Sequence, residues 1–516
     1  MGQGLPVIAA HGGLPEDDPS PAPSQRRRLQ AILRSPWLIL TVAFVASRMV
    51  YAALGVRFEV WPLYSDWQYV DPVAIDQDLV GTFLHLHFQP PLFNMVLAAA
   101  QKGPFSVEAT IHWLFLGLGY VLMLSSFALG RRLGLTSRQA MALAVVVSCN
   151  PTAVLYENHL FYAYPVAVLL VVATLLAVRY ASSRRLADGV LFFSVLAAVI
   201  LVRALYHPVW LLVVGVGLLL FALPGKRRGV VMAAAGPVLV VCALFAKNLV
   251  LFGEPTSSTW FGMNFSRAST FQIPQDEREA LVRRGELSVL ALRPPFYLYE
   301  TYANTGYGTP PTEPTGHPIL DQPLKSNGGA NFNFKGFLGI YRQYRRDALA
   351  SVRLRPGAYL HGQAVAYTIY LNSPTDFFGG PNRKRVATLD SVWKTVAYGQ
   401  VPGSLTEGAR RGAGLLASRA WTVGVFTALA LVGVAVAGAR LLVAVVRRRR
   451  DADPAAVGML FAWATIVYVT LAANTLEVGE NERFRFDIEP LLLIVTACLV
   501  HQAWRRRGQR SAPARP

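Results

Sequence analysis

Charge is scarce in this sequence. Only 15% of its 516 residues are Asp, Glu, Lys or Arg, whereas 53% are hydrophobic and the mean hydropathy is +0.36. So little charge excludes an ordinary soluble protein, in which about a quarter of the residues carry it. Cysteine is scarcer still: Cys149, Cys242 and Cys498 lie within or at the ends of apolar runs, and no C-x-x-C spacing exists. A disulfide framework and a cysteine zinc site are therefore excluded, and each thiol reads as a small buried hydrophobe. No internal repeat period is visible. Acidic residues are also in deficit, 30 against 49 basic ones, for a formal charge of +19. In a soluble chain that excess would point to nucleic acid. Here the basic residues form short clusters between apolar runs, as cytoplasmic loops of a polytopic membrane protein do, so no nucleic-acid partner is expected.

Apolar runs are what the sequence has in abundance. A bilayer-crossing helix needs about 20 such residues, and ten spans are expected near 37–55, 106–129, 139–153, 162–179, 187–205, 208–223, 230–251, 419–446, 455–473 and 488–504. Arginine or lysine clusters at 131–138, 179–185, 225–228, 447–450 and 505–510 mark the cytoplasmic loops. The expected fold is an all-α polytopic protein of the cell membrane with both termini cytoplasmic. Its parts are a disordered tail (1–35), a transmembrane module (36–251) with a first outer loop at 56–105, an extracytoplasmic domain (252–418) between helices seven and eight, C-terminal transmembrane helices (419–505) and a short tail (506–516).

Several cations run against the positive-inside trend. Arg48, Arg203, His207 and Lys247 fall in the outer parts of spans one, five and seven, and Arg483 and Arg485 precede span ten on the same side. Ionisable groups at membrane depth are costly and face a cavity or a partner. Taken one at a time, each could snorkel or pair with a local carboxylate. Taken together, they suit a phosphate-bearing ligand at outer headgroup level, because guanidinium groups bind phosphate oxygens bidentately.

The first outer loop, "WPLYSDWQYVDPVAIDQDLVGTFLHLHFQPPLFN", supplies acids. Asp66, flanked by Tyr64, Trp67 and Tyr69, suits a general base toward a hydroxyl, with Asp71 as a second candidate. The plainer reading is a solvated acidic loop. Asp76 and Asp78 form a D-x-D pattern, but residues two apart diverge on a helix, so no metal site is expected and no cofactor is implied. His85 and His87 read as interface histidines; His87 and Gln89, with Glu157 in the later outer turn, are candidates to line the same cavity.

The segments "YSDWQY", "HFQPPLFN", "NPTAVLYENHLFYAYP" and "ENERFRFDIEP", in that order, resemble the landmarks of the GT-C superfamily of integral membrane glycosyltransferases, which includes protein O-mannosyltransferases, aminoarabinose transferases and arabinofuranosyltransferases. The resemblance covers about 1–255 and 419–505. It implies an acidic base in the first outer loop, matching Asp66, and a later segment matching Glu480, Glu482, Arg483 and Arg485. It also implies a polyprenyl-phosphate-linked sugar donor. The acceptor stays open among glycan, lipid and protein, and in-line attack on the extracytoplasmic face is expected to invert the sugar carbon. One departure stands out: many relatives carry two adjacent acids where this chain has Asp66 followed by Trp67, which keeps Asp71 in play and leaves metal dependence open. A transporter or flippase of a lipid-linked saccharide is the alternative, although inverted repeats and matched broken helices are not visible.

Overall fold

The computed structural model describes residues 35–308, 314–400, 424–448 and 450–510. The expected N-terminal tail, apart from Ser35, therefore lies outside the described residues, as do 401–418 of the expected domain and the end of the C-terminal tail. Among the described residues there is no β-strand, only the isolated bridges Glu59–His159 and Leu324–Ala330.

Beside the short helices of the 56–105 loop, the first half is built from α1 (Pro36–Ala53), α2 (Val107–Arg132), α3 (Ser137–Cys149), α4 (Pro151–Glu157), α5 (Ala163–Ser183), α6 (Leu186–Val202), α7 (Pro208–Ala222) and α8 (Arg227–Phe252). Four more close the chain: α9 (Val425–Arg448), α10 (Pro454–Leu476), α11 (Asn481–Phe486) and α12 (Glu489–Arg510). Of these, α1, α2, α5, α8, α9 and α10 are long and apolar enough to cross a membrane, and α3 with α4 makes a seventh if the bent pair is one span. The bend of 52° falls where Asn150 turns extended and caps α4 through Ala153 N (2.9 Å), with Pro151 at its first position. The spans expected at 187–205 and 208–223 correspond to shorter apolar helices, and α7 is widened by a π-turn over Leu211–Gly217. Large apolar side chains such as Met49, Leu239, Val250 and Val432 point outward, as they do in a multi-pass membrane protein.

The bundle has two chemically distinct ends. Arg184 reaches Asp451 (2.6 Å), whose other oxygen accepts from Gly225 N (3.1 Å), so the loops before α6, α8 and α10 meet at one end. Those loops carry the arginine clusters. Arg203 and His207 sit at the opposite end of α6, about 25 Å away at 1.5 Å per residue.

Residues 254–400 build one small apolar cluster of their own, around Ile273, Leu281, Leu287 and Ala291, but share their larger aromatic cluster with another part of the chain. Phe296, Phe332, Phe337 and Tyr341 pack with Val70, Ile75, Leu86 and Phe88 of the first outer loop, so loop and insert share one apolar cluster. The aromatic runs "PPFYLYETY" and "NFNFKGFLGIY" thus serve chiefly as packing. His87 pins the seam. Its Nε2 faces the Asn333 carbonyl (2.9 Å), which fixes the hydrogen there, and its Nδ1 accepts from Thr259 Oγ1 (2.8 Å). Burial pushes this imidazole down to about 3. The unfolded chain takes up a proton below about pH 6.5 that the folded chain refuses, so folding stability is lost as pH falls from there toward 3. The expected slope from this group is about 1.4 kcal/mol per pH unit. Thermal melts of His87→Gln in detergent between pH 7 and 4.5 should show a shallower acid decline than those of the parent protein.

Candidate functional site

At the end away from the arginine-rich loops lies a cavity of about 910 Å³, walled by the first outer loop, the turn after α4, the α6–α7 corner, the start of the insert, Phe377–Gly380 and the α10–α11 junction. Asp66 enters it for a local reason. The short helix Pro62–Ser65 starts on a proline and stops at Asp66, which turns extended (φ −79°, ψ 142°) while its N–H closes the turn on the Pro62 carbonyl (2.8 Å). Three consecutive residues of the insert hold this loop. Lys325 Nζ donates to the Asp66 carbonyl oxygen (3.0 Å), Ser326 donates to the Asp71 carboxylate through N (2.6 Å) and Oγ (2.7 Å), and Asn327 donates to the Tyr64 carbonyl. The Asp66 carboxylate stays available, with one weak contact from Ser65 Oγ (3.3 Å). Burial holds its carboxyl above the usual range; His159 and Arg483 oppose that rise, and Glu480 adds to it.

Two arginines belong to the same cavity wall. Arg203 is almost wholly buried. Its Nη1 donates to Asp487, and its guanidinium lies over the rings of Phe484 (4.6 Å) and Tyr162 (5.3 Å). Its Nε and Nη2 have no hydrogen-bond partner among the described residues. Arg483 pairs with Glu480 (2.6 Å), contacts Tyr162 Oη (3.4 Å) and lies over Phe161 (4.5 Å), with its Nε also unpartnered. Leaving charged donors buried without partners costs several kcal/mol in ordinary circumstances. Both residues belong to the cavity wall, but these donor atoms are themselves closed off from it, so an anion in the cavity would meet them only after a small turn of the side chain.

The structure sorts the residues singled out from sequence. Asp66, Gln89, Arg203, His207, Glu480 and Arg483 line the cavity. The others are held elsewhere. Asp71 caps the helix Pro72–Gln77 through Val73 N and receives Ser326, so its carboxylate is committed to the turn. Arg48 pairs with Glu157 (Nε to Oε1, 2.9 Å), and Tyr164 also donates to Glu157, inside the bundle. Lys247 donates to the Leu86 carbonyl (2.7 Å). Arg485 lies on the far side of α11, bound to Glu489 and to the carbonyls of Tyr370 (2.8 Å) and Asn372 (2.6 Å), because residues two apart on a helix point about 200° from each other. Glu482 is buried on the same helix outside the cavity wall; Tyr69 is buried with its hydroxyl on the Leu160 carbonyl (2.8 Å), and Tyr64 is exposed. His87 is taken up by the seam between loop and insert.

Sequence reasoning missed Asp487, which neutralises Arg203, and a Glu59–His159 pair (2.9 Å) in the cavity wall. The one available signal was alternation: α4 ends at Glu157, and the extended segment beyond it turns His159, not Glu157, toward the first outer loop, where Leu160 N bonds the Glu59 carbonyl (3.0 Å). For metals, the described residues contain no group of three or more His, Cys, Asp or Glu side chains placed to hold an ion. The D-x-D residues diverge, Asp76 to Lys102 (2.6 Å) and Asp78 to His317 (2.9 Å).

The fold and the site together define a helical, multi-pass membrane protein with a cavity of mixed aromatic and charged lining at one end. No family model and no curated protein matches the chain. A solved structure of the archaeal oligosaccharyltransferase AglB from Archaeoglobus fulgidus, in complex with an inhibitory peptide and a dolichol-phosphate, is similar over 92% of this chain with a TM-score of 0.32 and 12% sequence identity. The chain spans about half of that protein, 52% of its length. A likeness at that level decides nothing about chemistry, which has to be read from the cavity itself.

The electrostatic environment of Asp66 is directly measurable. Isotope-edited infrared titration of its carboxyl should give a pKa above 3.8. Arg483→Gln should raise it further by removing a facing positive charge, and Glu480→Gln should lower it.

Proposed function

We propose that this protein transfers a sugar from a polyprenyl-phosphate carrier to a hydroxyl of a cell-envelope acceptor, on the extracytoplasmic side of the membrane. The observation that carries the reading is the coexistence, in one cavity wall, of a half-buried carboxylate available to a ligand and two buried arginines that each keep donors without partners. In the proposed reaction the acceptor oxygen attacks the anomeric carbon as Asp66 takes its proton. The bond from that carbon to the phosphate oxygen breaks, and the phosphate leaves with the bonding pair. Arg203 Nε and Nη2, with Arg483 Nε, would meet the charge that develops on it. A phosphate leaving group stabilised in this way needs little proton donation. Attack opposite the phosphate would invert the anomeric configuration.

Location supports the same reading. The cavity sits at the end remote from the arginine clusters, which the positive-inside bias assigns to the cytoplasm. Leu205 and His207 at the start of α7, with Leu476 at the end of α10, bring its wall to the surface of the apolar bundle, where a carrier chain would run in lipid while its phosphate entered the polar interior. Residues 254–400, which reach the cavity through Thr256–Arg267, would lie outside the membrane. The saccharide flippase reading has no comparable use for an available carboxylate in the same cavity wall as the two arginines.

Asp66→Asn should lower transfer by about 10²–10⁴-fold, the usual contribution of a general base, with binding of a polyprenyl phosphate retained. Arg203→Lys keeps a charge opposite Asp487 but lacks the spare fork donors. It should weaken donor binding by about tenfold or more, as expected for charge-assisted bonds, and leave acceptor KM near its parent value. Unchanged transfer in Asp66→Asn would remove the base from the mechanism.

A further inference from the structure

We infer that the acceptor is a carbohydrate, bound with its ring faces against Trp61 and Trp67; this rests on the transfer reading above and names its second substrate. Among the described residues, five tryptophans are largely exposed. Trp37, Trp113 and Trp504 lie on α1, α2 and α12, helices with lipid-facing surfaces. Trp61 and Trp67, at 50% and 42% exposure, lie on the first outer loop and in the cavity wall. Large apolar rings left open in a recess that also carries charged groups mark a binding surface.

Their setting selects the ligand. Asp66 stands between them in the chain, so whatever rests on the two indoles is brought to the carboxylate. Trp67 is held from behind by Phe296, stacked at 5.1 Å and 12°, and by Phe332 at 5.8 Å. Trp61 meets the His159 ring edge-on at 5.7 Å. The indoles are thus fixed at low entropic cost before any ligand arrives. An indole face is electron-rich and accepts the slightly positive C–H groups on one side of a sugar ring. In the same wall, Ser65, Gln68 and Gln89 carry hydroxyl and amide groups suited to sugar hydroxyls. The joint presence of apolar plates and dispersed hydrogen-bonding groups is the chemistry of a glycan.

The test uses the full chain in nanodiscs with no donor present, so that acceptor binding is read apart from transfer. Saturation-transfer NMR would be recorded on an arabinan hexasaccharide, a mannan hexasaccharide and a Ser/Thr-rich peptide. At least one oligosaccharide should bind, with transfer strongest to protons on one ring face. Trp61→Ala and Trp67→Ala should each weaken it by about tenfold or more, in the manner of interface tryptophans. Trp67→Phe, which keeps the stack on Phe296, should recover much of the affinity and serves as the folding control. Polyprenyl monophosphate binding should be the same in all variants. Binding of the peptide alone, binding of neither sugar, or sugar binding indifferent to both alanine substitutions overturns the inference. In each of those cases, retained polyprenyl phosphate binding leaves the donor reading standing, so the two failures are distinguishable.

Discussion

The structure turns on a buried guanidinium that is only half satisfied. Arg203 is neutralised by Asp487 through Nη1 and shielded by Phe484 and Tyr162, while Nε and Nη2 remain without partners at the cavity wall. A fully paired arginine would be structural glue, and an unpaired one at this depth would be prohibitive. The intermediate arrangement carries a cost that a ligand or water would relieve once a small turn of the side chain brought the remaining donors into the adjoining cavity. Arg483 repeats the pattern with Glu480 and Phe161. Two arginines with a donor to spare, side by side, make a local field that suits an anion.

The same cavity wall answers that field with a carboxylate held in place by a different part of the chain. Lys325, Ser326 and Asn327 fasten the loop of Asp66 by backbone and turn contacts and leave its side chain alone. The insert is therefore part of the site even though none of those three residues lines the cavity. Sharing one apolar cluster between insert and first outer loop has the same effect on a larger scale: neither can shift without the other, so base and guanidinium donors keep their relation.

Much of this was legible in the sequence, for a physical reason. Charges in apolar surroundings are rare and costly, so Arg203, Arg483 and His207 announce themselves, and an aspartate between aromatics just beyond a span does so too. What the sequence concealed was the identity of each partner. Lys247 and Arg485 look like Arg203 in one dimension, yet backbone carbonyls and Glu489 absorb them, because helix phase and loop path decide which way a side chain points. Arg48 and Glu157 were both visible, but not that they satisfy each other. The helical class was plain from the apolar runs, whereas the bend at Pro151 and the short α6 and α7 blur the number of spans. The shared core of loop and insert could not be read at all, since its halves lie far apart along the chain.

If the spare donors of Arg203 and Arg483 hold a lipid-borne phosphate beside Asp66, a cryo-EM map of the protein in nanodiscs with a bound polyprenyl monophosphate will show it. Phosphate density is expected within hydrogen-bonding distance of Arg203 Nε and Nη2, with the isoprenoid leaving between α7 and α10. Phosphate density at the arginine-rich end of the bundle, or a cavity filled by protein side chains when the lipid is bound, would contradict that arrangement.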